Sequence, residues 1–236
     1  MRIARPAAGR GNVDAGWLRS RHTFSFGHYH DPAWMGFGPL RVINEDRVAP
    51  GGGFAPHRHA DMEILSYVVS GALAHRDSTG SSGVLRPGEV QWMSAGRGIE
   101  HSEYNASELE PVHFLQIWIL PAATGLEPGY AQRAFDPALR EGRWATLASP
   151  DGVDGSLAIR QQARLRGTRL ARGVEVEHAL DPARRYWLHL VEGAVEVDGQ
   201  ALAAGDAIGI EDEGGMLRLA GSGDGVADLL LFDLPH

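Results

Sequence analysis

An internal repeat constrains this chain more than any other feature of its sequence. Residues 64–73 and residues 186–195 share one layout, in which branched and aromatic side chains run into a glycine turn. The turn at residues 87–90 is likewise repeated at residues 204–207. A repeat of this kind indicates two copies of one folding unit. The 236 residues are therefore predicted to form two similar domains.

Both copies are expected to consist of β-structure. Residues 62–69 are rich in branched and aromatic side chains, and residues 112–120 alternate between two faces, as strands do. The 31 glycines and 13 prolines favour many short strands and turns over long helices. We predict an all-β chain of two antiparallel, jelly-roll-like β-barrels, at residues 1–120 and 121–236.

Two pairs of candidate metal ligands lie in the first copy. His57 and His59 are two residues apart, so on a strand both imidazoles point to the same face. His101 and Glu103 have the same spacing. Neutral imidazole and carboxylate are ligands of a divalent metal that keeps coordination positions open. The first domain is therefore predicted to hold one mononuclear metal site.

Other residues compete for the same roles. Glu63 follows His59 by four residues, and spacing alone does not choose between Glu63 and Glu103 as the carboxylate ligand. His28 and His30 also have ligand spacing, but the glycine, aspartate and proline beside them indicate a strand end and a turn. We therefore interpret His28 and His30 as structural residues.

The second copy has lost the ligand pattern. The positions of the second copy that correspond to His57, His59 and His101 are occupied by Ala179, Asp181 and Arg218. His178 and His189 lie nearby, but neither has a second histidine at ligand spacing. We expect the second domain to bind no metal.

Composition excludes several classes of function. A formal net charge of −8 lacks the basic footprint of a protein that binds nucleic acid directly. The absence of cysteine excludes disulfides, thiolate nucleophiles and iron–sulfur clusters. No stretch is apolar enough for a signal peptide or a membrane span. The sequence predicts a cytoplasmic protein with no membrane partner.

With these motifs in view, the chain resembles the pirin family of bicupins over nearly its whole length. The resemblance is strongest at residues 53–64 and 91–103, which contain both ligand pairs, and it extends to residues 22–26 and 231–235. The family usually has proline between the first two histidines and a basic residue after them. Here those positions hold Arg58 and Ala60.

The resemblance implies a mononuclear metal site of three histidines and one glutamate. Carried over by position, the ligands are His57, His59, His101 and Glu103. The resemblance favours iron(II), while nickel, cobalt, copper, manganese and zinc are metals that such a site accepts. Bacterial members similar to this chain act as quercetin 2,3-dioxygenases, whereas animal pirin is a nuclear transcriptional coregulator.

We expect a metal-dependent dioxygenase that opens the central ring of flavonols with release of carbon monoxide. Its partners would be a flavonol and O₂, with Glu103 acting both as ligand and as the base that takes the flavonol hydroxyl proton. Glu63 is expected to orient a ligand imidazole. Apolar pocket surface is expected from Phe26, Phe54, Met62 and Trp92.

Two alternatives remain open at this point. One is a non-catalytic, iron-binding, redox-sensing coregulator that acts through a protein partner, and the other is a different cupin chemistry such as an isomerase. In either case we expect a monomer.

Overall fold

A computed structural model describes every residue from Met1 to His236. It contains 22 β-strands and three short 3₁₀ helices, Ala7–Gly9, Pro137–Arg140 and Val153–Gly155. None of the helices has the length and apolar character that crossing a membrane requires. The all-β prediction is therefore confirmed.

In chain order the strands are β1 (Arg2–Arg5), β2 (Gly11–Asp14), β3 (Leu18–His22), β4 (Leu40–Val48), β5 (Gly53–His59), β6 (Glu63–Ser70), β7 (Leu73–Asp77), β8 (Ser82–Leu85), β9 (Glu89–Ser94), β10 (Ile99–Asn105), β11 (Val112–Ile119), β12 (Gly129–Ala134), β13 (Ala145–Ser149), β14 (Leu157–Ala158), β15 (Arg164–Leu170), β16 (Glu175–Leu180), β17 (Arg184–Glu192), β18 (Ala194–Val197), β19 (Gln200–Ala203), β20 (Ala207–Ile210), β21 (Gly215–Gly221) and β22 (Ala227–Pro235).

The chain divides into two compact units. The first, here called the N-terminal unit, comprises Gly11–Phe135 and Ile159–Gln161. The second, the C-terminal unit, comprises Met1–Arg10, Asp136–Ala158 and Gln162–His236. The division differs from a single cut after residue 120, because β1 pairs with β20 and β12 pairs with β9.

The N-terminal unit is a sandwich of two antiparallel sheets. Its larger sheet has the order β12-β9-β6-β11-β4-β3-β2, and its smaller sheet has the order β5-β10-β7-β8. Both sheets contribute to one apolar cluster, formed by Val48, Val68, Leu73, Leu85, Val112 and Phe114. The predicted jelly-roll-like fold takes the form of a sandwich and not of a closed barrel, because the outer strands of each sheet have no hydrogen-bonded neighbour in the other sheet.

The C-terminal unit repeats this arrangement. Its sheets have the orders β1-β20-β17-β22-β15-β13-β14 and β16-β21-β18-β19, and only the β13–β14 pair is parallel. Apolar side chains from both sheets close the space between them, among them Leu180, Leu188, Val195, Leu217 and Leu229. The two copies predicted from the repeat are therefore both two-sheet sandwiches.

A glycine turn at the same place in each copy explains the sequence repeat. Gly71 joins β6 to β7 with a φ of +78°, and Gly193 joins β17 to β18 with a φ of +81°. A Cβ at Gly71 would lie 2.6 Å from the Pro111 carbonyl oxygen, and one at Gly193 would lie 2.7 Å from Ala227 Cα. Both conformation and space therefore require glycine at these two turns.

His178 gives the C-terminal unit a testable sensitivity to acid. Its buried ring contacts Trp144 and Tyr186, with ring centroids 5.9 and 5.5 Å away. Burial, with the charge of Arg166, lowers the pKa of His178 to about 4. Because an unfolded histidine titrates near 6.5, the unfolded chain binds more protons between these two values. The free energy of unfolding should therefore fall as the pH drops from about 6.5 towards 4.

The His178→Gln variant should lose less stability at low pH than the wild type. The difference in the free energy of unfolding should be at most about 3 kcal/mol. Urea unfolding at pH 7 and at pH 4.5 measures the effect in both proteins. An identical loss in the variant and the wild type would contradict the assignment.

Candidate metal centre

Two neighbouring strands of the smaller sheet carry the predicted ligands. His57 and His59 lie on β5, while His101 and Glu103 lie on β10. The strands pair antiparallel with His101 directly opposite His57, and a bulge follows between His101 and Glu103. Bulges re-aim side chains and are frequent beside functional sites. The pairing thus brings residues that are far apart in sequence onto one face.

The three imidazoles form a compact cluster. Ring centroids lie 4.5 Å apart for His57 and His101, and 4.8 Å apart for each of the other two pairs. One nitrogen from each ring lies within 4.8 Å of the others, which makes the three rings candidate ligands of one ion. His57 Nδ1 is 2.8 Å from the Ala55 carbonyl oxygen, which leaves Nε2 available to a metal.

His101 is the member of the cluster that most requires a partner. Its side chain is buried, and neither ring nitrogen has a hydrogen-bond partner in the protein. Buried polar atoms are nearly always paired. Since a metal would supply the missing partner, the residues present fit a metal centre.

Burial also sets the protonation state that metal binding needs. It lowers the pKa of His101 to about 3, with a further contribution from the charges of His57 and His59. Burial and the charge of His57 lower the pKa of His59 to about 4. At neutral pH both rings are therefore unprotonated, which is the form that coordinates a metal.

Glu103 follows His101 on β10, after the bulge. Its buried carboxylate accepts a hydrogen bond at Oε2 from Gln116 Nε2 at 2.6 Å, and Ser66 Oγ lies 3.2 Å from Oε1. Burial raises the pKa of Glu103 to about 7, against the opposing effect of the Ser66 hydrogen bond. One oxygen of Glu103 lies within 4.8 Å of ring nitrogens of His101 and His75.

His75 and Asp77 are neighbours of this site that sequence reasoning missed. They lie on β7, opposite Glu103 and His101 respectively. The His75 and Asp77 side chains are fully buried, with His75 Nε2 3.1 Å from Asp77 Oδ2. Gln91 Nε2 lies 3.5 Å from His75 Nδ1, which assigns the ring proton to Nε2. Their two-residue spacing, the same as in the other pairs, is the signal that could have revealed them.

A small cavity of about 60 Å³ opens beside the histidines. Phe26 and Phe54, both predicted as pocket residues, line it together with Trp118. The Trp118 ring lies edge-on to Phe26 at 5.3 Å and to His59 at 4.9 Å. The remaining lining residues are polar, namely Asn44, Asp46, His57, His59, Glu103 and Gln116.

The structure places Glu63 and Trp92 away from the site, contrary to the prediction. Trp92 Nε1 donates to Glu63 Oε2 at 2.7 Å, and the Arg160 backbone N–H donates to the same oxygen at 2.9 Å. Ser66 faces Glu103, so Glu63, three residues earlier on the same strand, points to the opposite face of the sheet. Glu63 does not share the face of His59, because Asp61, at a φ of +49°, interrupts the alternation between β5 and β6.

The structure also places Met62, another predicted pocket residue, outside the small cavity. It is half-buried and packs against an apolar cluster that includes Ile64, Met93 and Ile99. Met62 is not among the residues that line the small cavity. Its position is that of a core residue.

Comparison with known proteins identifies the family. Residues 4–119 match the family described as Pirin, and residues 146–234 match the family described as Quercetinase C-terminal cupin domain. The quercetin 2,3-dioxygenase of Escherichia coli K12 is 44% identical over 235 residues, covering 100% of this chain and 99% of that protein. A pirin-like protein of Caulobacter vibrioides is 45% identical over 204 residues, covering 86% of this chain and 88% of that protein.

Solved structures agree in fold. The crystal structure of the bacterial pirin YhhW from Escherichia coli in complex with nickel(II) matches with a TM-score of 0.92 and 42% identity. The match covers 100% of this chain and 99% of that one. Similarity of this extent in sequence and in structure leads to one conclusion. The chain belongs to the pirin family of two-domain cupin proteins.

Proposed function

We propose that this protein is a metal-dependent dioxygenase that opens the central ring of flavonols such as quercetin, with release of carbon monoxide. The observation that carries the proposal is the cluster of three imidazoles beside an aromatic-lined cavity, in which His101 has two buried nitrogens without partners. The name of the Escherichia coli relative supports the flavonol as substrate.

The proposed metal ligands are His57, His59, His101 and Glu103. Iron(II) is the proposed metal, and nickel(II) is the first alternative because the YhhW complex contains it. When bound, the metal would supply Lewis-acid activation and a template for the flavonol and O₂. Three imidazoles and one carboxylate leave up to two positions of an octahedron open for them.

Residues of the chain would perform the remaining tasks. Glu103 would take the proton of the flavonol hydroxyl, and the Gln116 amide fixes the orientation of this carboxylate. The rings of Phe26, Phe54 and Trp118 would present an apolar surface and keep water from the reacting edge.

Room for the ring system exists next to His59. The small cavity is too narrow for a flavonol, but a hollow of about 620 Å³ borders the same histidine. Pockets for molecules of this size typically measure about 300–1,000 Å³. We propose that the ring system lies in this hollow and that one edge of the flavonol reaches past His59 into the small cavity.

Aerobic turnover of quercetin tests the proposal. Protein loaded with iron(II) or nickel(II) should consume one O₂ and release one carbon monoxide for each quercetin, while the metal-free protein should be inactive. Oxygen electrode and carbon monoxide measurements give this stoichiometry. Absence of turnover with every first-row divalent metal would overturn the proposed activity and favour the non-catalytic regulator.

A further inference from the structure

The lining of the small cavity includes two polar side chains, each with a buried oxygen that lacks a partner. Asn44 and Asp46 lie two residues apart on β4, so both point to the same face, and each is only 3% exposed. Neither Asn44 Oδ1 nor Asp46 Oδ1 has a hydrogen-bond partner in the protein. Both residues line the cavity with His57, His59 and Glu103. Because buried polar atoms are almost always paired, the partners of these two oxygens are expected to come from a ligand.

Neighbouring groups do not satisfy these oxygens. Ser20 on β3 lies opposite Asp46, and its hydroxyl opposes the rise in the pKa of Asp46 that burial causes, but Asp46 Oδ1 still has no hydrogen-bond partner. Gln116 lies opposite Asn44, but its amide nitrogen donates to Glu103. Among the residues that line the cavity, Asn44 Oδ1 and Asp46 Oδ1 are therefore unpaired acceptors, and Trp118 Nε1 is an unpaired donor.

The chemistry and size of the cavity define its occupant. The Asn44 amide oxygen and the ionised form of the Asp46 carboxylate accept hydrogen bonds, so both pair with an occupant that presents donors. The cavity is small, at about 60 Å³, and three of its lining residues are proposed metal ligands, so the space beside Asn44 and Asp46 suits small polar groups such as hydroxyls.

We propose that Asn44 and Asp46 bind hydroxyl groups on the inserted edge of the substrate, and that this contact selects polyhydroxylated flavonols. The inference rests on the proposed function and deepens it by naming the substrate feature that is recognised. Buried acceptors that lose their donor are left unpaired, so analogues without the hydroxyl groups should be rejected.

Equilibrium binding of two flavonols tests the inference. Quercetin carries several hydroxyl groups, whereas 3-hydroxyflavone carries only the one on the central ring. Nickel-loaded wild-type protein under argon should bind quercetin at least about tenfold more tightly than 3-hydroxyflavone. Quenching of tryptophan fluorescence measures both affinities. Asp46→Leu and Asn44→Leu should each reduce this preference to less than about twofold and leave the affinity for 3-hydroxyflavone unchanged.

The matched control is Glu45→Gln on the same strand. Glu45 accepts from Arg47 Nη1 at 2.8 Å and lies 3.0 Å from His113 Nε2, so it faces away from Asp46 and the cavity. This variant should keep the wild-type preference. Asp46→Leu removes an unpaired buried carboxylate, so its unfolding midpoint should equal or exceed that of the wild type.

Three results would overturn the inference. The first is a wild type that binds both flavonols equally well, and the second is that the leucine variants keep the preference for quercetin. The third is that these variants lose the metal or lose affinity for both flavonols equally. Because binding is measured without turnover, a protein that prefers quercetin but never oxidises it would contradict the proposed function and leave this inference intact.

Discussion

Alanine in place of His101 should leave the purified protein without metal, whereas the wild-type chain should carry one ion. The His101 ring lies 4.5 Å from that of His57 and 4.8 Å from that of His59, so it completes the cluster. Loss of residues that merely support metal ligands costs about 10–100-fold in affinity, so loss of a ligand should exceed about 100-fold. Elemental analysis after gel filtration measures the bound metal per chain.

His113 supplies the matched control, because it is another buried histidine of the N-terminal unit. Its Nε2 lies 3.0 Å from Glu45 Oε1, away from the cluster. His113→Ala should lose this contact and some stability, yet keep the full metal content. Metal retained by His101→Ala, or two tightly bound ions per wild-type chain, would show that the centre has been assigned incorrectly.

The histidine cluster could be anticipated because it depends on short-range geometry. His57 and His59 share a face through strand alternation alone, and β5 is regular between them. The proximity of His101 is a long-range fact, since it depends on the pairing of β10 with β5. That pairing could be inferred only through the resemblance to a family.

The positions that escaped prediction depend on contacts that have no local pattern. The four-residue spacing predicts that Glu63 shares the face of His59, but Asp61 interrupts the extended backbone between them. Asp46 sits in a strand whose neighbours are mostly buried, and nothing in its spacing marks it as facing a cavity. Whether two sheets close into a barrel depends likewise on their outermost strands, and these are far apart in sequence.

Replacing Glu103 with glutamine should lower metal affinity and remove flavonol turnover. The new amide would have only one acceptor oxygen, which Gln116 Nε2 now occupies in Glu103 at 2.6 Å, and its NH₂ group cannot bind a metal. It would also lack the charge and the basicity of the carboxylate. General base catalysis is typically worth about 10²–10⁴-fold, so we expect kcat to fall by at least about 100-fold even at saturating metal. Metal titration and quercetin turnover separate the two effects.

Glu63→Gln should show the opposite pattern, because this carboxylate faces away from the cluster. It receives hydrogen bonds from Trp92 Nε1, Ser94 Oγ and the Arg160 backbone N–H. An amide would leave a buried donor unpaired at a cost of about 1–3 kcal/mol. At roughly 2–4 °C per kcal/mol, the unfolding midpoint should fall by several degrees while metal content and kcat stay at wild-type values. If Glu63→Gln lost its metal and Glu103→Gln kept it, the roles of the two glutamates would have to be exchanged. Loss of charge removes the metal only when the carboxylate is a ligand, and it lowers stability when the carboxylate supports the fold.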